Sequence, residues 1–141
     1  MSGMTDPSYN QDSLIETIYI TLEFLSDIIS DIQFLPEFSA EKEFHWNHQV
    51  QRITHDVSRF VQITTLLAKA LVTKKGVTIP DIKHSHIHLL FVLKGMNQSQ
   101  LKNDYIALED LIKYELKDNL TQWKIDLIPQ IKKHLVPSLS M

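Results

Sequence analysis

The residues of this chain with the clearest chemical potential are its seven histidines. Three of them form a His-x-His-x-His run at His84, His86 and His88. In a helix, His84 and His88 lie one turn apart on one face and could bind one metal ion, whereas His86 points to the other side. A third ligand could come from His45 or His48, in an earlier predicted helix. The simpler interpretation, which we adopt as the prediction, is exposed histidines, one core histidine at position 86, and no metal or other cofactor.

Charged residues are unevenly distributed along the chain, and no Lys or Arg precedes Lys42. The predicted first helix carries an acidic ridge, and the predicted second helix carries a basic ridge. The acidic ridge consists of Glu16, Glu23, Asp27 and Asp31, and the basic ridge consists of His48, Arg52, His55 and Arg59. Both ridges lie opposite the apolar faces of their helices, so we expect them to face outward and not to pair within one hairpin. Two interpretations of the ridges are open. In the first, they are two solvated faces. In the second, they form a docking surface, either for a charged partner or for a second copy related by a twofold axis.

Apolar residues recur at helical spacing along most of the chain. The strongest stripe lies within residues 39–75 and predicts a helix that packs along its whole length. Its members are Trp46, Val50, Ile53, Val57, Phe60, Thr64, Leu67 and Leu71. A capping box at Ser13 and Glu16 predicts the start of the first helix, and Pro36 predicts its end. Ser39 and Gly76 are the predicted caps of the second helix.

Two further helices are predicted after Gly76. The third begins near Pro80 and has apolar residues on two sides, so we expect it to be buried on more than one side or to face a second subunit. Its additional apolar residues are Ile87, Leu90 and Phe91. Asp104 is the predicted N-cap of the fourth helix. Pro129 lies within that helix and predicts a kink, because it removes one backbone hydrogen bond.

The predicted fold is an all-α antiparallel four-helix bundle, since four helices joined by short links favour this arrangement. The length of 141 residues predicts a single helical-bundle domain over residues 1–141. Residues 1–11 are polar and are predicted to form a flexible segment before the first helix.

Composition argues against several classes of function. The chain has no Cys, which excludes disulfides and thiolate catalysis. A net charge of −3 argues against a general nucleic-acid binder. The few glycines provide no phosphate-binding loop. The N-terminus lacks the pattern of a signal peptide, and no apolar run is long enough to span a bilayer. We therefore expect a soluble cytoplasmic protein without a nucleic-acid or membrane partner.

Two short segments resemble known families. The sequence Leu93-Lys94-Gly95 resembles the end of the His-x-Leu-Lys-Gly signature of histidine phosphotransfer domains, which are also four-helix bundles. That resemblance implies a phosphoryl-accepting histidine at position 91, where this chain has Phe91. The segment from Leu89 to Trp123 is similar to a motif of small uncharacterised bacterial all-helical proteins. This second resemblance implies a bacterial helical protein and supplies no activity.

The pattern as a whole favours a non-enzymatic helical bundle that acts by protein–protein interaction, as an adaptor, a chaperone-like protein or a regulator. A homodimer is one form of that interaction. A metal-binding bundle that uses the surface histidines and a degenerate histidine-phosphotransfer-like module are the alternatives.

Overall fold

The helices of this protein follow one another with short connections. The computed structural model describes residues 7–135, with side chains from residue 13 onward. Helix α1 spans Pro7–Gln33, a 3₁₀ turn spans Ala40–Lys42, α2 spans Glu43–Lys75 and α3 spans Pro80–Leu101. The last rod, residues 105–135, is called the C-terminal helix here. Its consecutive segments are α4 (Tyr105–Asp110), a π-helical Leu111–Leu116, α5 (Lys117–Gln122), a π-helical Trp123–Leu127 and α6 (Ile128–Leu135).

Contacts between distant residues fix the direction of each helix. Residues Asp31 and Phe24 of α1 meet Arg52 and Arg59 of α2, in reverse order along the two helices. The α2–α3 pair and the pair formed by α3 and the C-terminal helix are also antiparallel. In the first pair, which a short connection joins, Thr64 contacts His86. In the second pair, Ser85 contacts Asn119, whereas Gly95, further along α3, approaches Leu111, which comes earlier in the C-terminal helix. The all-α four-helix bundle predicted from the sequence is confirmed.

The core includes the α2 stripe that the sequence pattern identifies. All eight members of the α2 stripe are buried, which confirms the prediction that α2 packs along its length. The C-terminal helix buries its own stripe against them. Those residues are Leu108, Ile112, Leu116, Leu120, Trp123, Leu127, Ile128, Ile131 and Leu135. Burial of apolar area at roughly 25 cal/mol per Å² is the main stabilising contribution of such a core.

The start of α1 differs from the prediction. The helix begins at Pro7, so Ser13 lies inside it and its carbonyl accepts a hydrogen bond from the Thr17 hydroxyl at 2.8 Å. The predicted capping box at Ser13 is therefore wrong, because Pro at a first helical position already provides a start signal upstream. Residues 7–11 are helical, whereas residues 1–6 of the segment predicted to be flexible lie outside the described residues.

The connections between the later helices follow the sequence signals. Gly76 takes a left-handed conformation at φ 64° and closes α2 with its amide on the carbonyls of Leu71 and Val72. Asn103 is also left-handed at φ 54°, and the Asp104 carboxylate accepts a hydrogen bond from the amide of Ala107 at 3.1 Å.

The start of α2 does not follow its sequence signal. Ser39 precedes the 3₁₀ turn and makes no side-chain cap, so α2 itself starts four residues later than its predicted cap.

The C-terminal helix departs from regular α geometry immediately before Pro129. The π-helical turn Trp123–Leu127 precedes α6, and the amide of Ile128 bonds the carbonyl of Trp123, five residues back. A proline lacks the amide that would bond the carbonyl four residues earlier, and its ring would clash with that carbonyl. A wider turn relieves this clash. The kink predicted from Pro129 is confirmed.

Aromatic side chains close the end of the bundle where α1 turns into α2. The Trp46 indole donates a hydrogen bond to the carbonyl of Pro36 at 2.9 Å. The Phe38 ring stacks on Tyr105 with 4.0 Å between ring centroids and meets Trp46 edge-on at 5.2 Å. This cluster joins the α1–α2 connection to the first turn of the C-terminal helix. Within residues 7–135, no helix combines the length and the apolar character that crossing a membrane demands.

Candidate interaction surface and histidine cluster

The two charged ridges lie on the outer side of the α1–α2 pair. Glu16, Glu23 and Asp27 are exposed, and Asp31 is partly buried. The four members of the basic ridge are all exposed. Their outward orientation agrees with the helical spacing of the sequence, while their role in binding a partner stays a prediction.

The expectation that the ridges cannot pair with each other is wrong at one position. The Arg52 guanidinium lies 3.5 Å from the Asp31 carboxylate. Arg59 also reaches α1, with its guanidinium carbon 5.8 Å from the centre of the Phe24 ring. Both arginines lie on the flank of α2 nearest to α1, and a long side chain can cross the gap between two helices that an idealised wheel places apart. His55 instead lies 3.8 Å from Asp56 of its own helix.

The histidines predicted as metal ligands are divided between two ends of the molecule. His84 and His88 are exposed on α3, and His45 and His48 are exposed in the first turns of α2. Because Thr64 of α2 contacts the α3 histidine run, His48 lies about 25 Å further along the axis of α2. The structure therefore does not bring the predicted third ligand to the run. Among the side chains described, no group of three His, Asp or Glu residues is placed to hold a metal ion.

His86 is the half-buried member of the run. Its ring stacks on Trp123 with 5.1 Å between centroids. The Thr64 hydroxyl donates to the carbonyl of Phe60 at 2.9 Å, so its oxygen accepts from Nε2 of His86 at 2.7 Å, which assigns a proton to that nitrogen. Burial disfavours the charged ring and lowers the pKa of His86 below the usual 6.5. A neutral, hydrogen-bonded imidazole is a structural group that joins α2, α3 and the C-terminal helix.

His88 belongs to a second polar cluster that the sequence pattern did not reveal. The Asn119 side-chain amide donates to Nδ1 of His88 at 2.9 Å and to the carbonyl of Ser85 at 3.3 Å. The Ser85 hydroxyl returns a hydrogen bond to Asn119 Oδ1 at 3.2 Å. Asn119 and Ser85 are buried, so these bonds satisfy polar groups that would otherwise be costly. The sequence does contain one signal that Asn119 is buried. It lies three residues after Leu116 and four residues before Trp123, so it falls on the same apolar stripe of the helix.

Three large apolar side chains of α3 point to solvent. Ile87 and Leu90 are each 56% exposed, and Phe91 is 70% exposed. Ser85 and Val92 complete the buried face of α3 instead. The sequence analysis allowed two interpretations of α3: burial on more than one side, or contact with a second subunit. For these three residues, burial within the chain is wrong. The other interpretation, contact with a second subunit, stays a prediction.

An apolar groove lies beside these residues, between the second half of α2 and the first half of α3. It has a volume of about 220 Å³. Its lining includes Ala68, Leu71 and Val72 from α2, and Ile82, Ile87 and Leu90 from α3. We call this feature the α2–α3 groove. Lys83 and His86 are the charged or titratable groups among its lining residues. The groove is therefore apolar at its surface, with a cation at its edge.

Among the residues that resemble a histidine phosphotransfer signature, Gly95 has a structural role here. Phe91, at the position of the expected nucleophile, is exposed and carries no phosphoryl-accepting group. Gly95 faces Leu111 of the C-terminal helix, and a Cβ built on it would lie 3.3 Å from Leu111 Cδ1. The glycine thus permits a close approach of two helices in the same chain.

Comparison with known proteins adds no assignment. No protein-family model, curated protein or solved structure matches this chain. The interpretation of the surface therefore depends on its physical chemistry.

Proposed function

We propose that this chain is a non-enzymatic helical-bundle protein that acts by binding another protein, as an adaptor, a chaperone-like protein or a regulator. The observation that supports this proposal most directly is the exposed apolar surface formed by Ile87, Leu90 and Phe91. Contiguous exposed apolar side chains on a protein surface are typical of interaction sites. A cytoplasmic location and a bacterial source belong to the same proposal.

The charged ridges are proposed to guide the same or another partner. On the acidic ridge, Glu16, Glu23 and Asp27 project from α1 into solvent. On the basic ridge, His48 does the same from α2, whereas Arg52 already lies near Asp31 and Arg59 lies over the Phe24 ring. Separated patches of opposite charge steer a partner and fix its orientation more than they add affinity. A second copy of the chain is one candidate partner, because it presents the complementary ridge.

The two alternatives receive no comparable support. A metal site at His84 and His88 would need a further ligand, and the two α2 histidines proposed for it lie near the far end of the bundle. The phosphotransfer alternative would need a nucleophile where Phe91 stands. No specific observation favours either over protein binding.

The test compares two variants at exposed apolar positions. Phe91→Asp lies in the proposed surface, and Ile106→Asp lies on α4 and serves as a matched control. Light scattering after size-exclusion chromatography measures self-association, and affinity capture from extracts of the source cells measures other partners. We expect Phe91→Asp to weaken association by about tenfold or more, equivalent to about 1.4 kcal/mol, and Ile106→Asp to behave like the wild type.

Two outcomes would contradict the proposal. In the first, the wild type remains monomeric and captures the same proteins from the extract as the Phe91→Asp variant does. The other is an equal loss of association in both variants, which would mean that the effect is unspecific. Circular dichroism at matched concentration verifies that both variants keep the helical fold.

A further inference from the structure

The α2–α3 groove has the shape of a site for side chains of a helix. Two antiparallel helices border it, and their apolar residues line it along successive turns. Its volume of about 220 Å³ is below the roughly 300–1,000 Å³ of small-molecule pockets. It can therefore receive a few apolar side chains at a time. An amphipathic helix delivers such side chains at steps of three, four and seven residues.

The charge around the groove restricts the occupant further. Within α3, Asp81 is the only acidic residue, against Lys83 and Lys94. Lys83 lines the groove, and Lys94 is exposed one turn beyond Leu90. A partner segment with acidic residues beside its apolar anchors would gain favourable interactions there, whereas a basic segment would be repelled.

Two ways of placing a second copy of the chain on this surface are unfavourable. A twofold axis through the groove would place Lys83 and Lys94 against the same lysines of the other copy. A contact with the outer face of α1 of another copy would supply acids, but the large apolar residues exposed among the described side chains of α1 are Tyr19 and Ile20, which are adjacent in one turn. Glu23 and Asp27 occupy the turns that follow. That face lacks consecutive apolar anchors.

We propose that the α2–α3 groove binds an amphipathic helix of a partner protein, with apolar anchors in the groove and Asp or Glu side chains beside Lys83 and Lys94. This inference rests on the proposed function and names its partner class. Ile87 and Leu90 form the apolar contact on α3, and Ala68 and Val72 form it on α2. Phe91 extends the same surface beyond the groove.

Three fluorescein-labelled helical peptides of equal length test the assignment against the full chain by fluorescence anisotropy. The first has Leu anchors at helical steps flanked by Glu, the second has the same anchors flanked by Lys, and the third has Glu with Ser in place of Leu. We expect the first peptide to bind at least about tenfold more tightly than each of the others. We also expect its affinity to fall with increasing salt.

Variants of the protein locate the binding to the groove. Leu90→Asp and Ile87→Asp should each lower the affinity for the acidic peptide by about tenfold or more. The control variant Ile125→Asp, at an exposed apolar position of the C-terminal helix, should bind this peptide with the affinity of the wild type. Lys83→Glu should reduce the preference for the acidic over the basic peptide. Equal affinity for the first two peptides, no measurable binding of the acidic peptide, or unchanged binding by both Asp variants of α3 would overturn the inference.

The oligomeric state separates this inference from the proposed function. If the acidic peptide does not bind, and the wild type is a dimer that Leu90→Asp dissociates, then a second copy occupies the groove. The acidic-helix assignment would then be wrong while the proposed function would stand. If the wild type neither self-associates nor captures a partner through α3, both would fail.

Discussion

The outer face of the α1–α2 pair and the outer face of the α2–α3 pair are both exposed, yet they differ in chemistry. On the first, α1 carries exposed carboxylates and α2 carries exposed cations, and the Arg52–Asp31 distance of 3.5 Å shows that part of this charge is neutralised within the chain. On the second, Lys83 lines an apolar groove and Lys94 is exposed one turn beyond it, and the groove lining includes no carboxylate among the described residues. The comparison teaches that exposure alone does not mark an interaction surface.

The first face is partly neutralised within the chain, because one pair of opposite charges, Arg52 and Asp31, are neighbours. Its arginines rest on α1, one beside Asp31 and one over the Phe24 ring. The second face has apolar area that water contacts and like charges that no acid of α3 balances, apart from Asp81 at the start of the helix. Binding a partner there would remove apolar area from water and pair the lysines.

The largest effect that can break this comparison concerns two adjacent leucines of α3. Leu89 is fully buried, and Leu90 is more than half exposed. Leu89→Ala should lower the free energy of unfolding by about 2–5 kcal/mol, because it leaves a cavity in the core. Leu90→Ala should change it by no more than about 0.5 kcal/mol. Urea unfolding followed by circular dichroism measures both, and an equal loss would mean that the second face is already covered in the isolated protein.

A smaller effect concerns His86, which is one of the residues that line the groove. Its pKa is lowered by burial, so the unfolded chain binds more protons than the folded chain between the folded pKa and the usual 6.5. The contribution of the neutral ring is therefore complete above pH 6.5 and is lost as the pH falls through the folded pKa. Between about pH 7.5 and about pH 5, His86→Gln should lose less stability than the wild type.

The matched control for this titration is His84→Gln, at an exposed position of the same run. Urea midpoints at the two pH values measure the difference for each protein. If His84→Gln flattens the pH dependence as much as His86→Gln does, the effect does not come from the buried ring. If neither variant flattens the pH dependence of stability, burial of His86 contributes nothing to that dependence.

The smallest effect concerns the first face. In a double-mutant cycle of Arg52→Ala and Asp31→Ala, the coupling free energy should be about 0.2–1 kcal/mol, since the arginine is mostly exposed and the pair is screened by water. Charge reversals at Arg52 and Arg59 should leave the melting temperature nearly unchanged but weaken any association that uses the basic ridge. If both reversed variants associate like the wild type at low salt, the ridge is only a solvated surface.

Much of the fold is predictable because helical periodicity identifies the side of each helix that avoids water. The eight stripe residues of α2 are all buried, and Gly76, Asn103 and Asp104 adopt the conformations or caps that their side chains favour. The start of α1 was less predictable. Ser13 and Glu16 match a local cap pattern, but a local pattern cannot show that helical turns already precede it.

The candidate surface was only partly predictable. Spacing places His86 in the core stripe of α3 and places Ile87, Leu90 and Phe91 outside it, but it does not show whether another helix covers the latter three. The Asn119–His88 and His86–Thr64 hydrogen bonds link residues on different helices, so no local pattern contains them. Likewise, a wheel gives the direction of Arg52 from its own axis but not its distance from Asp31.

The sequence by itself determined four amphipathic helices, the breaks at Gly76 and Asn103, and the inner side of α2, because these depend on residues within a few turns of one another. Only the tertiary structure decided which flanks meet. Whether Arg52 reaches Asp31, and whether the apolar residues of α3 are covered or left beside an open groove, depends on the distances between helices. Those distances follow from how side chains of four separate helices fill one core.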